Sequence, residues 1–234
     1  MASESLYKVD QLNHDQIEQL RCIMAQGGLC ILPSDSSYIL TGDLRINKVS
    51  RDIDILLKRK GIKMSLAFGS IREASDKMKL SSMAVSFLER LSSQGLTFVA
   101  MPNSRAFQAY SENVLHADGT VGIRITRSAI ETSLAKVFPL PTTPVRTEDN
   151  AETGTAGDAW EIVRHRMKEY GIDRPLAIVD NGEVPFLGRL STVVKEEKYG
   201  SLWRLVVLRE NTICFDEIRR VASQCGYSEV IYQK

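Results

Sequence analysis

Cations and small hydroxyl side chains occur in five short stretches of the chain, each close to an apolar run. Residues 33–38 (PSDSSY) follow one such run, and residues 58–63 (KRKGIK) hold four cations in six positions. Arg124 ends the run TVGIR, Ser191 opens STVV and Arg209 ends VVLR. Such cations bind phosphate or carboxylate groups, and hydroxyls add short polar contacts. The pattern therefore predicts a site for an anionic ligand.

Each stretch also has an ordinary structural explanation. Pro, Ser and Asp favour turns for local reasons, so residues 33–38 could be a polar turn. Cations at a helix end complement the helix dipole, which would explain residues 58–63. A lone arginine on a strand is commonly a surface residue or an ion-pair partner. The sequence contains no P-loop, GxGxxG or nucleophile-elbow motif that would decide between these alternatives.

The elements that must position these residues alternate along the chain. Apolar residues at helical spacing predict helices over 14–26 (with Asn13 as N-cap), 47–59, 81–92, 128–137, 156–170 and 215–224. Apolar runs predict strands at 29–32, 65–69, 96–101, 121–125, 176–179, 191–194 and 203–208. Because some strands follow one another directly, we predict an α/β fold with a mixed sheet.

Length, composition and charge are those of an ordinary globular protein. The chain has 234 residues, 43% of them hydrophobic, and a net charge of +1, so a phosphate site must be a local patch. The N-terminus does not resemble a signal peptide and no apolar run is long enough to cross a membrane, which favours a cytoplasmic protein. The four cysteines and three histidines are scattered, so we expect reduced thiols and no metal site.

Residues 141–157 are rich in Pro, Thr, Glu, Asn and Gly and contain almost no apolar side chain. Strand-like and helical patterns continue beyond them in the same style. We therefore predict a long surface loop inside a single domain that spans residues 1–234, rather than a linker between two domains.

Taken in order, these stretches resemble the YrdC/YciO family, whose best-known members make threonylcarbamoyl-adenylate. The family's opening motif, P-T-D-T-x-Y-x-L-G behind Gly-Gly, is similar to residues 27–40, and its K-x-R-P motif to residues 58–61. Its P-G-x-L-T-F-V, T-V-x-x-R-x-P, aspartate-glycine, S-T-V and V-L-R-x-G motifs resemble residues 94–99, 120–125, 178–182, 191–193 and 207–211. The resemblance covers about residues 15–215, and a helix and a strand are expected over 215–234.

The resemblance implies a YrdC-like fold, a twisted mixed sheet flanked by helices, with a concave basic cleft. It also implies a nucleotidyl transfer. A carbamate, formed from bicarbonate on the nitrogen of an amino acid, attacks the α-phosphate of ATP and expels pyrophosphate. Threonine is the family's usual amino acid, Mg²⁺ accompanies the phosphates, and no side chain acts as a nucleophile, because positioning and electrostatics supply the catalysis. RNA or a downstream transferase are the further partners that it suggests.

The resemblance also implies roles for individual residues. The residues assigned to ATP are Lys58, Lys60, Thr120, Arg146 and Arg209. The residues assigned to the amino acid are Ser34, Ser36, Tyr38, Arg124, Thr143 and Ser191, with Arg124 on its carboxylate.

The chain departs from the family pattern at several positions. The T-S-A-N signature falls at residues 143–146, where Pro144 and Arg146 replace its serine and asparagine, and the arginine and proline of the basic motif are Lys60 and Gly61. Because Arg146 is a long cation near the expected triphosphate, we predict that it points into the cleft and contacts a phosphate or another anion. The departures leave two alternatives open: a non-catalytic paralogue that binds nucleotide or RNA, and a carbamoyl-adenylate enzyme serving O-carbamoylation in small-molecule biosynthesis.

Overall fold

Strands and helices alternate along the chain in the computed structural model, which describes residues 4–59, 61–103, 113–149, 151–184 and 191–233. The strands are β1 Glu4–Lys8, β2 Leu29–Pro33, β3 Tyr38–Gly42, β4 Leu66–Phe68, β5 Met78–Lys79, β6 Leu96–Pro102, β7 Val121–Ile125, β8 Thr143–Pro144, β9 Leu176–Asp180, β10 Thr192–Tyr199, β11 Leu202–Arg209 and β12 Glu229–Tyr232. The α-helices are α1 His14–Ala25, α2 Asn47–Leu56, α3 Ile71–Lys77, α4 Ser82–Leu91, α5 Ala129–Ala135, α6 Ala156–Glu169 and α7 Phe215–Cys225.

Two mixed sheets form the framework. The first has the strand order β1-β9-β2-β3-β8, and the second has the order β12-β11-β10-β6-β7-β4, with β5 paired to β6. Consecutive strands pair antiparallel in β2–β3, β6–β7 and β10–β11, whereas β9 runs parallel to both β1 and β2. The predicted α/β class with mixed pairing is confirmed. Among the described helices, none is long and apolar enough to cross a membrane.

The larger core cluster holds the two sheets together. It contains Ile31 and Leu40 of the first sheet, Phe98 and Ile123 of the second, and Phe87 of α4, all fully buried. Burying a side chain of this size stabilises the fold by about 1.5–3 kcal/mol. Since both sheets share this core, the ends of β2, β7 and β11 keep fixed positions relative to one another.

The structure departs from the predicted elements at several places. Helix α2 ends at Leu56 rather than 59, because Lys58 adopts a left-handed backbone conformation that the helix cannot continue through. Strand β3 was not predicted from the sequence; it begins at Tyr38, directly after the turn 34–37. Helix α1, by contrast, begins as predicted, because Asn13 and Gln16 form a reciprocal capping box.

The prediction of a surface loop over 141–157 is wrong. Strand β8 pairs with β3, and Val145 N donates to Tyr38 O at 2.9 Å. Thr143, Val145 and Thr153 are buried, and both threonine hydroxyls donate to backbone carbonyls. These internal partners allow a polar stretch to lie inside the fold. We call residues 143–149 and 151–155 the β8 segment.

Candidate functional site

The five polar stretches meet around a cavity of about 530 Å³. This volume lies within the range of small-molecule sites, about 300–1,000 Å³. Among the described residues, the cations in its lining are Lys58, Arg59, Lys63, Arg124, Arg127, Arg146 and Arg209, and the carboxylates are Asp35 and Glu152. The cavity is therefore a locally basic site in a chain whose net charge is only +1.

Six of the residues selected from the sequence line this cavity: Ser36, Lys58, Arg124, Arg146, Ser191 and Arg209. Four others, Ser34, Tyr38, Thr120 and Thr143, do not. Lys60 lies outside the described residues.

The first polar stretch is a tight turn between β2 and β3. Ser34 N donates to Ser37 O at 2.9 Å. The carboxylate of Asp35 accepts a hydrogen bond from Arg127 N at 3.0 Å, which ties this turn to the chain just after β7. Asp35 and Ser36 consequently lie in the cavity wall beside Arg127.

Ser34 itself is buried and contacts the carboxylate of Glu131, a residue that was not selected from the sequence. Its hydroxyl donates to Glu131 Oε2 at 2.7 Å, and Thr126 Oγ1 donates to the same atom at 2.6 Å. Glu131 is fully buried, and its Oε1 has no hydrogen-bond partner among the described residues. Burial raises the pKa of the Glu131 carboxyl, although the two hydroxyl donors and Arg124 oppose the rise.

Tyr38 and Thr143 are core residues rather than cavity residues. The Tyr38 hydroxyl donates to Gly182 O at 2.8 Å and accepts from Asn181 N at 2.9 Å. Burial raises the pKa of the Tyr38 hydroxyl. Thr143 Oγ1 donates to the carbonyl of Leu40. Both side chains fix strand positions behind the cavity wall.

The chain reverses sharply after α2 and brings two cations to the cavity. Lys58 N donates to Ile55 O at 3.1 Å and Arg59 N to Asp54 O at 2.9 Å, the two hydrogen bonds of a Schellman motif. Lys58 occupies the position usually held by glycine, with φ of 53°. A lysine in this conformation costs about 1–2 kcal/mol, and such strain is typical of functional positions.

Arg59 is a cavity cation that the sequence analysis did not select, because the run KRK does not reveal which side chain turns inward. Its side chain is only 15% exposed, and its Nε lies 4.0 Å from Asp54 Oδ1. Burial lowers the pKa of Arg59 to about 10; Asp54 opposes this shift, whereas Arg146 and Arg209 add to it. Three guanidinium groups therefore lie close enough to repel one another, an arrangement that suits a multiply charged anion.

Strand β7 brings Arg124 to the cavity. A Cβ at Gly122 would lie 2.7 Å from Ser65 Oγ, so a larger residue there would displace the Ser65 side chain. The side chain of the half-buried Arg124 donates no hydrogen bond and forms no ion pair within the described part of the chain. Its guanidinium is therefore available to a ligand. Thr120, just before the strand, is instead buried and donates to Asp118 Oδ1 at 2.6 Å.

Strands β10 and β11 join two of the polar stretches. Arg209 Nε donates to Ser191 O at 2.9 Å, and its Nη2 donates to Ser191 Oγ at 3.1 Å. Ser191 Oγ also lies 2.8 Å from Thr97 Oγ1. Burial lowers the pKa of Arg209, and the nearby Arg146 and Arg124 lower it further.

The β8 segment supplies Arg146 to the cavity together with a carboxylate. Arg146 Nη2 lies 2.9 Å from Glu152 Oε1, and both residues line the cavity. Their backbones pair as an antiparallel bridge. Glu152 could not be recognised from the sequence, because a glutamate in a polar stretch is usually solvated.

A buried arginine on α6 connects the β8 segment with the end of α2. Arg166, 4% exposed, donates to Leu56 O at 3.0 Å and to Arg146 O at 3.1 Å. It also forms an ion pair with Glu148 at 2.9 Å, and Glu148 lies 3.1 Å from Lys58 Nζ. Arg166 therefore fixes the two segments that carry Lys58 and Arg146.

A protein-family model, described as Sua5_yciO_yrdC, telomere recombination, matches residues 22–206 of the chain. The chain belongs to the Sua5/YciO/YrdC family. No curated protein gives a significant match to it.

Solved structures of this family show the same fold at low sequence identity. P. abyssi Sua5 complexed with L-threonine is 17% identical, with a TM-score of 0.69, and the match covers 98% of this chain and 62% of that chain. E. coli YciO is 17% identical, with a TM-score of 0.69 and coverage of 90% and 96%. Full-length HypF in a phosphate- and nucleotide-bound form is 13% identical, with a TM-score of 0.62 and coverage of 83% and 29%. This chain thus spans less than two thirds of the matched Sua5 chain.

Proposed function

We propose that this member of the Sua5/YciO/YrdC family is a nucleotidyl-transfer enzyme of the threonylcarbamoyl-AMP synthase type. Its substrates would be ATP, bicarbonate and an amino acid, and its products a carbamoylated amino-acid adenylate, pyrophosphate and water. The observation that carries this proposal is the meeting of seven Lys and Arg side chains around one cavity, on the family's fold. The L-threonine in the Sua5 structure supports threonine as the amino acid.

The basic cluster can hold the phosphates of ATP. Lys58, Arg59, Arg146 and Arg209 all line the cavity, and the last three lie within electrostatic reach of one another. When the carbamate oxygen attacks the α-phosphorus, a P–O bond forms and the bond to the β-phosphate oxygen breaks, so pyrophosphate leaves with that electron pair. Fixed cations stabilise the negative charge that shifts towards pyrophosphate during this step.

Mg²⁺ would enter with the phosphates and neutralise part of their charge. Among the described residues, no group of three or more His, Cys, Asp or Glu side chains is placed to hold a metal ion. In this proposal, the ion enters bound to the phosphates of the nucleotide.

Arg124 is the residue that we assign to the carboxylate of the amino acid. Its guanidinium has no hydrogen-bond or ion-pair partner among the described residues, and a planar fork matches a carboxylate in two parallel hydrogen bonds. Ser36 and Ser191 line the same cavity and would supply hydroxyl contacts. Ser34, Tyr38, Thr120 and Thr143 would act indirectly, by fixing the strands and turns around the cavity.

One observation favours a second candidate, a nucleotide-binding paralogue without catalysis. Carboxylates already contact two of the cations expected at the triphosphate, since Glu148 pairs with Lys58 and Glu152 with Arg146. Pro144, in the place of the signature serine, has neither a hydroxyl nor a backbone N–H to offer a ligand.

Two measurements separate these candidates. Calorimetry with ATP tests the site, and pyrophosphate release from ATP with bicarbonate and a panel of amino acids tests the reaction. Release that needs both bicarbonate and one amino acid supports the enzyme, and the responding amino acid names the substrate. ATP binding without release under any condition supports the paralogue. Failure to bind ATP at millimolar concentration overturns both.

A further inference from the structure

Glu152 is a carboxylate inside the basic cavity. Its side chain is 7% exposed, and its Oε1 lies 2.9 Å from Arg146 Nη2. Its charge also acts on Arg209, where it opposes the lowering of the pKa. The carboxylate of Glu148 is different, because it is 73% exposed and does not line the cavity.

The backbone around Glu152 is fixed on both sides. Its own backbone bridges to Arg146, and the next residue, Thr153, donates from N to Val145 O at 3.0 Å. Thr153 O in turn accepts a hydrogen bond from Tyr38 N at 3.0 Å. A ligand group that binds to Arg146 therefore lies close to the Glu152 carboxylate.

A fixed negative charge in such a place acts on ligands according to their own charge. ATP brings more negative charge to the cavity than AMP does. A carboxylate beside a phosphate disfavours binding, and the effect is largest where water is excluded. Glu152 should consequently weaken the binding of ATP more than that of AMP.

We infer that Glu152 is a specificity-determining residue of the proposed nucleotide site. Its carboxylate reduces the preference of the site for a polyphosphate over a single phosphate. This inference rests on the proposed function and deepens it. In a reaction that turns ATP into an adenylate and pyrophosphate, the same carboxylate favours retention of the adenylate and departure of pyrophosphate.

The test is calorimetry of AMP and ATP without Mg²⁺ on the wild type, Glu152→Gln and Glu197→Gln. Glu197 is the matched control, because it removes the same charge from a carboxylate that pairs with Arg204 at 3.1 Å and does not line the cavity. We expect Glu152→Gln to tighten ATP about tenfold and AMP no more than about threefold. Glu197→Gln should leave the ratio of the two affinities unchanged.

A second comparison keeps the charges of the pair balanced. Arg146→Gln combined with Glu152→Gln removes both charges of the pair, and it is compared with Arg146→Gln alone. The double variant should again prefer ATP over AMP more strongly than the single variant does. If the ratio of ATP affinity to AMP affinity is unchanged or lowered in both comparisons, the inference is overturned, because Glu152 then only orients Arg146. If the wild type binds neither nucleotide, the proposed function fails as well; if it binds both and only the ratio stays constant, the inference alone fails.

Discussion

The guanidinium of Arg209 holds Ser191 by two hydrogen bonds, one to its carbonyl at 2.9 Å and one to its hydroxyl at 3.1 Å. The family resemblance assigned these two residues to different ligands, ATP and the amino acid. Because their strands are antiparallel neighbours, with Val193 opposite Arg209, the two motifs form one unit of the cavity wall. A change at Arg209 should therefore affect both ligands.

Arg209→Lys should weaken ATP binding about ten- to a hundredfold, because an ammonium cannot keep both hydrogen bonds to Ser191 while it contacts a phosphate. The amino acid should also bind more weakly. Calorimetry with each ligand checks this expectation. The control is Arg204→Lys on the same strand, where the arginine pairs with Glu197 outside the cavity. Loss of ATP binding with normal amino-acid binding would contradict the joint role.

Lys58 should show opposite effects on stability and on binding. Lys58→Gly removes the strain of the left-handed conformation and should raise the free energy of unfolding by about 1 kcal/mol. Lys58→Ala keeps most of that strain. Both variants lose the ammonium and should bind ATP about ten- to a hundredfold more weakly. Urea denaturation and calorimetry test the two effects; ATP affinity equal to that of the wild type in both variants would remove Lys58 from the site.

Strands β7, β10 and β11, which carry part of the site, could be predicted from the sequence, because they are short apolar runs between clear breaks. Strand β7 has the predicted bounds 121–125, and the cavity residues Arg124, Ser191 and Arg209 follow from such runs. The direction of a side chain was harder to predict. All five residues of β3, which begins at Tyr38, are buried, so no alternation of polar and apolar residues marks which face meets the cavity.

The buried charges could not be predicted, because their partners are distant in the sequence. Glu131 meets Ser34 across 97 positions, and Arg166 meets the Leu56 carbonyl across 110. On a helix, a single glutamate or arginine is usually solvated, and only the tertiary fold brings it a buried partner. Glu152 differs from these two, because its partner Arg146 is only six positions away; it lies in a stretch predicted to be a surface loop, where a glutamate is usually solvated.

Arg124→Lys should raise the amino-acid concentration needed for half-saturation at constant ATP about tenfold or more, because a lysine keeps the charge but loses the paired hydrogen bonds to a carboxylate. ATP affinity should change little. Arg219→Lys, on the exposed face of α7, is the control. An unimpaired Arg124→Lys variant would mean that Arg124 does not hold the carboxylate.

Glu131 should make stability depend on pH. Because burial raises the pKa of its carboxyl, the folded state binds this proton more tightly than the unfolded state does. Its contribution to the free energy of unfolding is therefore greatest below the carboxyl's ordinary pKa, and it falls as pH rises towards the folded-state value. Glu131→Gln stays neutral and can still accept from Ser34 and Thr126. Urea denaturation from pH 4 to 8 should show the variant gaining stability relative to the wild type as pH rises; a constant difference would refute this expectation.

Arg166→Lys should impair both stability and nucleotide binding, because a lysine cannot reach the Leu56 carbonyl, the Arg146 carbonyl and Glu148 together. Each buried carbonyl left without a partner costs about 1–3 kcal/mol, so we expect the free energy of unfolding to fall by about 2–4 kcal/mol. Since Arg166 fixes the segments that carry Lys58 and Arg146, ATP should also bind at least about tenfold more weakly. The control on the same helix is Arg164→Lys, whose arginine is 55% exposed and pairs with Glu4, and it should cost less than about 0.5 kcal/mol. Urea denaturation and calorimetry on the two variants give the answer. If Arg166→Lys loses stability but binds ATP normally, Arg166 stabilises the fold without positioning the phosphate site.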